Sequence, residues 1–376
     1  MVDELKKVKK CYGCGAVMQS ETKDEVGYVP AKKLSSEEEV FLCERCFKTH
    51  HYGADHLKEP VITHDFLALI ESARKKNAIF VYVVDIFTFE SSFNLDINEA
   101  LHDLDVILVA NKVDLLPRST NKEKLEAYVL RHARNANLKV KQVILTSSTK
   151  NYNIDEVMKA IKATKNKNDV YFIGSVSSGK SSLIKTLLRN FENVTSRYIT
   201  TSIYPNTTIA VQEIPITETR TIYDTPGISI SNSLLGVAEK EVIKLIVPRR
   251  EIKARTYQIS PNQSILIGGL ARLDYLEGPY APFTFYFADT VKIMRTNLAR
   301  ADRTFENIVK TKKTAPISAL VTSLKDLDAY EFNTYEDRKY DVAWNGYGFV
   351  SFKGSGKKIR IYAPKGVAIS YNESKI

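Results

Sequence analysis

The order of two nucleotide-binding motifs constrains this chain more than any other feature of its sequence. The phosphate-loop pattern Gly-x-x-x-x-Gly-Lys-Ser occupies residues 174–181, and the tetrapeptide Asn111-Lys112-Val113-Asp114, of the kind that reads guanine, comes before it. Both motifs are typical of loops at the carboxyl ends of strands in an α/β sheet. In an ordinary GTPase the phosphate loop comes first and the base-reading motif last. The swapped order therefore predicts a circularly permuted nucleotide-binding domain.

The phosphate loop stands in the setting that its chemistry requires. Residues 170–173 form an apolar run that leads into the loop, and an apolar helical pattern follows from Leu183-Ile184. In such a strand–loop–helix unit, the loop amides and the helix N-terminus cradle phosphate oxygens. We expect Lys180 to neutralise the β- and γ-phosphates and the Ser181 hydroxyl to ligate Mg²⁺. The candidate nucleotide contacts here are Gly174, Ser177, Ser178, Gly179, Lys180, Ser181 and Ser182.

Tyr223-Asp224-Thr225-Pro226-Gly227 matches the second phosphate and metal motif of GTPases. Asp224 would hold Mg²⁺ through water, and the Gly227 amide would sense the γ-phosphate. Thr207-Thr208 lies between this motif and the phosphate loop, where a mobile switch is expected. Thr208 is our candidate for the switch threonine on Mg²⁺, the alternative being an ordinary loop or strand threonine. We assign catalytic roles to Lys180, Thr208 and Gly227.

The candidate base-reading residues follow two other apolar runs. Asn111-Lys112-Val113-Asp114 comes after the run 106–110, and Thr146-Ser147-Ser148 ends the run 143–145. The Asp114 carboxylate can accept hydrogen bonds from the ring N–H and the exocyclic amine of guanine together, whereas adenine would set a lone pair against it. We expect Asn111 to brace the loops and the Lys112 stem to cover the base. Ser147 and Ser148 fit the remaining base-contacting loop.

Short apolar runs alternate with helical patterns from about residue 61 onward. Further runs lie at 79–84, 209–214 and 221–223, and helical patterns at 64–76, 121–135, 153–164 and 180–190 separate most of the runs. This alternation predicts an α/β fold with a mostly parallel sheet covered by helices. We place the circularly permuted P-loop GTPase domain at 61–250. A small zinc-binding module at 1–60 and a β-rich C-terminal domain at 251–376, which would bind RNA or a partner, flank it.

All four cysteines fall near the N-terminus, as Cys11-x-x-Cys14 and Cys43-x-x-Cys46. Two such knuckles supply four thiolates to one tetrahedral zinc ion and leave no open coordination position, so we predict structural zinc. The alternatives are a redox dithiol or a chance pairing. Three histidines follow that could replace a cysteine ligand or lie on the surface, some of them facing a phosphate backbone: His50, His51 and His56.

Beyond about residue 250 the apolar pattern becomes strand-like, with frequent glycines and prolines. We expect strands at 257–259, 264–267, 284–287, 348–352 and 358–362, and at least one helix near 289–300. The basic, glycine-rich turn 353–358 either contacts a phosphate backbone or is a solvated hairpin tip. Four aromatic residues could stack bases, although such residues more often fill a core: Tyr280, Phe283, Phe285 and Phe287.

These features resemble the YqeH family of circularly permuted GTPases. The resemblance rests on the motif order, the paired cysteines, Val83-Val84-Asp85-Ile86-Phe87 and Gly268-Gly269-Leu270-Ala271-Arg272-Leu273-Asp274, and it extends over nearly the whole chain. It implies a GTP-hydrolysing factor in the assembly of the small ribosomal subunit. Hydrolysis would time the release of the factor from a precursor particle, so the implied partner is that subunit or its rRNA precursor.

The chain departs from the family pattern at positions that bear on hydrolysis. Ser177-Ser178 stands where the family usually carries Asn-Val, and in related GTPases that asparagine helps to bind a potassium ion that speeds hydrolysis. This change speaks against potassium stimulation, whereas Ser147-Ser148 in place of the usual Ser-Ala is milder. Ile228 is not such a departure, because an apolar residue there also fits the resemblance. It follows Gly227 where many GTPases place a water-orienting glutamine, which predicts intrinsic turnover without a partner on the order of 10⁻³ per second or less.

The net charge of +10 fits a polyanionic partner such as RNA, and it equally fits a lysine-rich, evenly solvated surface. No apolar run approaches the roughly 20 residues of a membrane-spanning helix, and no secretory signal is visible, so we expect a cytoplasmic location and no membrane partner. Two other function classes stay open. One is a nucleic-acid-binding module in which the nucleotide is mainly structural, and the other is a regulatory GTPase that acts on protein partners.

Overall fold

The structure is a computed structural model that describes residues 18–23, 27–31, 64–93, 95–164, 168–190, 200–203, 210–217, 220–228 and 230–376. Several sequence-predicted residues lie outside these ranges, namely the four cysteines Cys11, Cys14, Cys43 and Cys46, the three histidines and Thr208. The zinc site and the switch threonine therefore stay predictions. Within the described residues, no helix is both long enough and apolar enough to cross a membrane.

A seven-stranded sheet forms the part of the molecule that carries the predicted nucleotide motifs. Its strands are β1 (Ile79–Asp85), β2 (Asp105–Asn111), β3 (Lys139–Leu145), β4 (Val170–Ile173), β5 (Thr200–Ile203), β6 (Ala210–Thr217) and β7 (Arg220–Asp224). They lie in the order β3-β2-β1-β4-β7-β6-β5. The first five strands in this order, β3, β2, β1, β4 and β7, are parallel to one another. Strands β6 and β5 continue the sheet antiparallel at one edge. The prediction of a mostly parallel sheet is confirmed.

Helices accompany the sheet, and the four that begin at residues 64, 122, 154 and 180 lie at the predicted places, whereas the two short helices after β1 were not predicted. They are α1 (His64–Lys75), α2 (Phe89–Ser92), α3 (Leu95–Ala100), α4 (Lys122–Asn135), α5 (Ile154–Ala163) and α6 (Lys180–Asn190). Two further helices, α7 (Leu234–Val237) and α8 (Lys240–Ile246), follow β7. In α5 the buried positions Ile154, Val157, Met158 and Ile161 follow the three- and four-residue spacing of one helix face. The Asn121 side chain accepts a hydrogen bond from the Lys124 amide, which caps the N-terminus of α4.

Strand β1 explains how a permuted chain can still build one nucleotide site. It pairs with β2, which carries the base-reading motif at its end, and with β4, which leads into the phosphate loop. The carboxyl ends of parallel strands meet at one edge of the sheet. The two motifs therefore become neighbours across β1, whichever of them comes first in the sequence.

The second half of the chain is two five-stranded antiparallel sheets around one core. The first has the order β12-β9-β10-β16-β13 and the second the order β17-β14-β15-β11-β8. Their strands are β8 (Arg255–Ile259), β9 (Gln263–Ile267), β10 (Ala271–Glu277), β11 (Ala281–Phe287), β12 (Ile293–Asn297), β13 (Leu327–Thr334), β14 (Lys339–Trp344), β15 (Gly348–Lys353), β16 (Lys357–Pro364) and β17 (Ile369–Glu373). The predicted architecture, a mostly parallel α/β sheet followed by a β-rich region, is confirmed for the described residues.

The predicted helix near 289–300 is wrong in its position. Residues Ile293–Asn297 form β12, which pairs with β9, and the helix α9 (Leu298–Thr311) begins only after Asn297. The Asn297 side chain accepts a hydrogen bond from the Ala299 amide and thereby caps α9. The buried face of α9, Ala301, Phe305, Ile308 and Val309, lies entirely after this cap. The strand was missed because its pairing with β9 is a long-range contact.

The aromatic residues of β11 mainly fill the core, as expected. Phe283, Phe285 and Phe287 are completely buried, whereas Tyr280 is 67% exposed. In the basic turn 353–358, Lys353 pairs with Asp337 at 2.8 Å, and the buried Lys357 donates to the Gly354 carbonyl oxygen. The turn is therefore largely neutralised by its own surroundings and is a weaker candidate for a phosphate contact than its sequence indicates.

The segment Gly268–Asp274, part of the family resemblance, has a structural role. Arg272 is buried in β10 and donates from Nε to Asp274 Oδ1 at 2.6 Å and from Nη2 to Asp274 Oδ2 at 2.8 Å. A third hydrogen bond from its Nη1 reaches Asp302 on α9. A side chain at Gly268 would meet Pro316 at 2.6 Å. This segment binds α9 and the loop that follows α9 to the first of the two antiparallel sheets, and it lies apart from the nucleotide motifs.

The two halves share a continuous buried contact. Phe349 of β15 belongs to the same apolar cluster as Phe87, and their ring centroids lie 6.0 Å apart. Lys375 is 0% exposed and donates from Nζ to both carboxylate oxygens of Glu90, at 2.9 and 3.0 Å. The Tyr128 hydroxyl donates to the same carboxylate at 2.9 Å. A buried ion pair between residues 285 apart thus joins the β-rich half to α2.

Candidate nucleotide-binding site

The phosphate loop bends tightly between β4 and α6. Ser177 and Gly179 have φ angles of 64° and 95°, in the left-handed region that favours glycine. A Cβ atom on Gly179 would lie 2.4 Å from Asn111 Nδ2. The glycine is therefore required both by the backbone and by the close approach of the base-reading motif. Ser181 and Ser182 follow on the exposed surface of the first turn of α6, where both can face a ligand.

Lys180 is the first residue of α6, and its side chain folds back onto the phosphate loop. Its side chain is 6% exposed, and Nζ donates to the carbonyl oxygens of Gly174 at 2.8 Å and Ser175 at 3.0 Å. Burial lowers the pKa of the Lys180 ammonium to about 8, against the charge of Asp224, which acts in the opposite direction. Such an ammonium gains stabilisation from any anion that enters the loop, because it is largely removed from water.

Asp224 and Ser181 form the candidate cation site. Asp224 ends β7, and its Oδ1 is buried without a hydrogen-bond partner among the described residues. Burial raises the pKa of Asp224, while the hydrogen bond from Ser181 and the charge of Lys180 act in the opposite direction. Carboxylate and hydroxyl oxygens are the ligands that Mg²⁺ prefers. The donor set therefore fits Mg²⁺, with Asp224 and Ser181 as the residues that would hold it directly or through water.

Asn111 joins three loops of the site. Its Nδ2 donates to the Ser178 carbonyl oxygen at 3.2 Å, which links the end of β2 to the phosphate loop. Its Oδ1 accepts from the Thr146 hydroxyl at 3.2 Å and from both the amide and the hydroxyl of Ser148, at 3.2 and 3.1 Å. The carboxamide is completely enclosed. Asn111 therefore positions the other loops, whereas a direct contact with a base is left to its neighbours.

Asp114 presents the most specific group of the base-reading motif. It lies in a short 3₁₀ turn, Val113–Leu115, and its Oδ1 is buried without a partner among the described residues. It lines a cavity of about 160 Å³ together with Lys112, Ser148, Gly179 and Ser182. Ser147 lies next to this cavity, and its hydroxyl accepts a hydrogen bond from the Lys150 amide. The structure thus brings the base-reading residues and the phosphate loop to one cavity.

Three buried oxygens of the nucleotide motifs lack hydrogen-bond partners among the described residues: Asp114 Oδ1, Ser178 Oγ and Asp224 Oδ1. Buried polar atoms are almost always paired, so unpaired ones that share a site indicate a missing ligand. They lie in the base-reading turn, the phosphate loop and the candidate cation site, one in each of the three parts of the predicted nucleotide site.

Asp85 belongs to the family resemblance but is not among the predicted site residues. Its Oδ2 accepts from Lys112 Nζ at 2.7 Å, and the same ammonium also donates to the Ser177 carbonyl oxygen. The Asp85 amide donates to Ser92 Oγ at 2.7 Å, and Ser92 Oγ lies 3.0 Å from Ser175 Oγ. The end of β1 therefore supports both the base-reading lysine and the phosphate loop. The position of Asp85 at the end of an apolar run was the signal that could have revealed it.

Gly227 and Ile228 connect the second phosphate motif to the phosphate loop. The Val176 amide donates to the Ile228 carbonyl oxygen at 2.9 Å, and the Ile228 amide donates to the Gly174 carbonyl oxygen at 3.2 Å. A Cβ atom on Gly227 would lie 2.7 Å from Val176 Cα. The Ile228 side chain is 5% exposed and belongs to the apolar core. The side chain therefore packs in the core and, being apolar, has no group that could orient a water.

Two family profiles match the chain. The profile of the RsgA GTPase matches residues 97–233, and that of the YqeH-like C-terminal region matches residues 280–375. The first match spans both the base-reading motif and the phosphate loop in their swapped order. The second match covers most of the two antiparallel sheets.

Two curated relatives match nearly the whole chain. The chain is 34% identical to the Bacillus subtilis protein YqeH over 97% of its own length and 99% of that protein. It is 26% identical to the Arabidopsis thaliana NO-associated protein 1, over 92% of its own length and 70% of that protein. Among solved structures, YjeQ from Thermotoga maritima matches at 18% identity over 40% of this chain and 48% of that one, with a TM-score of 0.26.

Proposed function

This chain belongs to the YqeH family of circularly permuted GTPases, and from that membership we propose that it is an assembly factor of the small ribosomal subunit. In this proposal it binds the rRNA precursor or a precursor particle in the cytoplasm and leaves when GTP is hydrolysed. The observation that carries the proposal is the convergence of the swapped motifs on one cavity, at one edge of one sheet. The net charge of +10 supports a polyanionic partner.

The proposed division of labour follows the contacts of the site. Asp114 reads guanine, Asn111 holds the three loops together, and Lys180 with the loop amides binds the phosphates. Mg²⁺, when bound, neutralises charge on the phosphates, and Ser181 and Asp224 would hold it with Thr208. Gly227 senses the γ-phosphate through its amide. The remaining proposed nucleotide contacts are Lys112, Ser147, Ser148, Gly174, Ser177, Ser178, Gly179 and Ser182.

The proposal also assigns a structural zinc site to the N-terminal cysteines. Cys11, Cys14, Cys43 and Cys46 would bind a structural zinc ion in a separate module of residues 1–60, followed by the GTPase domain at 61–250 and the partner-binding domain at 251–376. A zinc-to-protein ratio of one in the purified protein, reduced by Cys-to-Ser replacement, is the expected result. A ratio near zero in protein purified without chelator would reject the zinc site.

The segment that follows Gly227 connects directly to the β-rich half, which supports a role of GTP hydrolysis in timing release. Ile228 is bridged to the phosphate loop, and a few residues later Leu234 is completely buried in the core of the two antiparallel sheets. The Leu234 amide donates to the Asn345 carbonyl oxygen, and the Ala368 amide donates to that of Asn232, both at 2.9 Å. A displacement of Gly227 on loss of the γ-phosphate would therefore be transmitted to the β-rich half.

The decisive experiment measures binding to small-subunit particles with a non-hydrolysable GTP analogue and with GDP, together with GTP turnover with and without particles. We expect tighter binding with the analogue, weaker sedimentation at high salt, and faster turnover with particles. Lys180→Ala should lower turnover by about a hundredfold or more. Lys159→Ala, an exposed lysine of α5, is the matched control and should behave as wild type. Equal binding with both nucleotides would reject the timing role.

A further inference from the structure

The guanine cavity has a wall that does not come from any nucleotide motif. Pro248 and Arg249 line the same cavity of about 160 Å³ as Asp114 and Gly179. They belong to the connector, defined here as residues 247–253, which joins the helix α8 (Lys240–Ile246) to β8. Because of the permutation, this connector links the two halves of the molecule and also runs past the base-reading turn.

The connector is fastened to that turn by two sets of hydrogen bonds. The Ile252 amide donates to the Leu115 carbonyl oxygen at 2.9 Å. The Glu251 carboxylate accepts from the Arg118 amide at 2.9 Å and from Arg118 Nε at 3.0 Å. Leu115 directly follows Asp114, so these bonds hold the connector at a fixed place beside the base-reading carboxylate.

The other side of the connector is fastened to the β-rich half. Arg250 donates to Asp289 Oδ2 from Nε at 3.0 Å and pairs with the same oxygen through Nη2 at 2.8 Å. Asp289 follows β11. Arg250, Glu251 and Ile252 are thus all bound, whereas the exposed Arg249 forms neither a hydrogen bond nor an ion pair within the part of the chain that the structure describes.

We propose that Arg249 is a nucleotide-binding residue whose guanidinium packs on the face of the guanine base. A planar, weakly hydrated guanidinium stacks well on an aromatic face, and no carboxylate among the described residues competes for it. Pro248, whose ring fixes its φ angle, restricts the path of the chain immediately before Arg249. Asp114 reads the edge of the base, and Arg249 covers one face without reading its substituents.

This contact links base binding to the β-rich half of the molecule. The hydrogen bonds of the connector hold its backbone near the cavity, and packing of Arg249 on the base adds a further restraint, which the Arg250–Asp289 pair carries to the β-rich half. Linkage is reciprocal. A partner that restrains the β-rich half and its connector therefore raises the affinity for nucleotide by the same factor by which nucleotide raises the affinity for that partner. The inference rests on the proposed guanine cavity, and it adds a connection on the base side to the one that starts at Gly227.

Calorimetric titration with GDP and with inosine diphosphate, which lacks the exocyclic amine, tests the contact. For Arg249→Ala we expect the affinity for both nucleotides to fall about threefold to tenfold, with the ratio between them unchanged. Arg249→Lys, which keeps the charge and loses the plane, should stay close to the Ala variant. Lys253→Ala, an exposed cation of the same connector, should behave as wild type.

Three results would overturn the inference: wild-type affinity in Arg249→Ala, full recovery in Arg249→Lys, or an equal loss in Lys253→Ala. Hydrogen exchange of the connector amides gives a second reading, because GDP should slow it in the wild type and not in Arg249→Ala. Asp114→Ala separates the two proposals. If Asp114→Ala leaves the ratio of the GDP and inosine diphosphate affinities unchanged, the assignment of the guanine cavity is wrong. If Asp114→Ala changes that ratio but the Arg249 variants bind like the wild type, the cavity is supported and the Arg249 contact is rejected.

Discussion

At the scale of single residues, the site depends on side chains that position other parts of it. Asn111 bonds the phosphate loop and the Ser148 loop at once, and Lys112 connects Asp85 with Ser177. These contacts explain why a base-reading motif and a phosphate loop must touch, and why the loop carries glycine at position 179. A change at the point of contact should disturb both functions together.

Gly179→Ala tests this contact. The added methyl group would lie 2.4 Å from Asn111 Nδ2, at a φ of 95°, so both the backbone and Asn111 must move. We expect GDP affinity to fall by about tenfold or more, because a left-handed conformation costs a residue with a side chain roughly 1–2 kcal/mol even before the clash. Calorimetric titration with GDP measures the change.

Gly356→Ala is the matched control for that substitution. Gly356 also has a left-handed φ, 62°, but no atom lies within 4 Å of the position of its added Cβ. Its replacement should lower the free energy of unfolding by about 1 kcal/mol and leave GDP affinity unchanged. If both variants bound GDP like the wild type, the close approach of Asn111 would not matter for binding.

At the scale of elements, the β-bridge between Ser175 and Ile228 is the main link of the switch to the phosphate loop. It fixes the backbone of Ile228 on the loop, and the side chain enters the core. The position where many GTPases place a glutamine is therefore used here for packing. The group that orients the attacking water must therefore lie elsewhere, as the predicted slow intrinsic rate and the proposed activating partner require.

Ile228→Gln is expected to destabilise the protein without making it a faster enzyme. The amide would replace an apolar side chain in a closed site, at a cost of about 1–3 kcal/mol for its unmet hydrogen bonds. Thermal unfolding should show a lower Tm, and intrinsic GTP turnover should not rise. Ile228→Val, which keeps the apolar contact, serves as the control. A several-fold rise in turnover for the Gln variant would show that the side chain reaches the nucleotide.

At the scale of the whole molecule, the two halves are joined by the buried pair of Glu90 and Lys375. Burial raises the pKa of Glu90, but the charge and hydrogen bonds of Lys375 outweigh it and hold the pKa below its usual range. A depressed carboxyl pKa contributes stability above the unfolded value of about 4.5, and this contribution is lost as the pH falls through the folded value. The pair therefore stabilises the joined state at neutral pH.

Lys375→Met should leave Glu90 buried and unpaired. Removing one partner of a buried ion pair costs about 3–5 kcal/mol, whereas removing both charges costs much less. We expect a large loss of Tm at pH 7 for Lys375→Met and substantial recovery in the double variant Glu90→Gln/Lys375→Met. The deficit of the single variant should shrink towards pH 4, as its Glu90 becomes protonated. Equal deficits at pH 7 and pH 4 would contradict the assigned role of the charge.

Local patterns in the sequence determined much of this protein. The apolar runs and helical spacings identified β1 to β4, β6, β7 and the four long helices around them, since each is defined by residues close together in the chain. The phosphate and base-reading motifs carry their chemistry in four to eight consecutive residues. The swapped order of these motifs and the family resemblance followed from the same local information.

Only the tertiary structure decided how distant segments meet. The bonds of Asp85 with Lys112, the wall that Pro248 and Arg249 add to the guanine cavity, and the pairing of Glu90 with Lys375 join residues far apart in the chain. The strand β12 was missed for the same reason, because its hydrogen bonds are with β9. Such contacts depend on where the sheets place their edges and on how the two halves pack, and neither can be read from the spacing of residues along one segment.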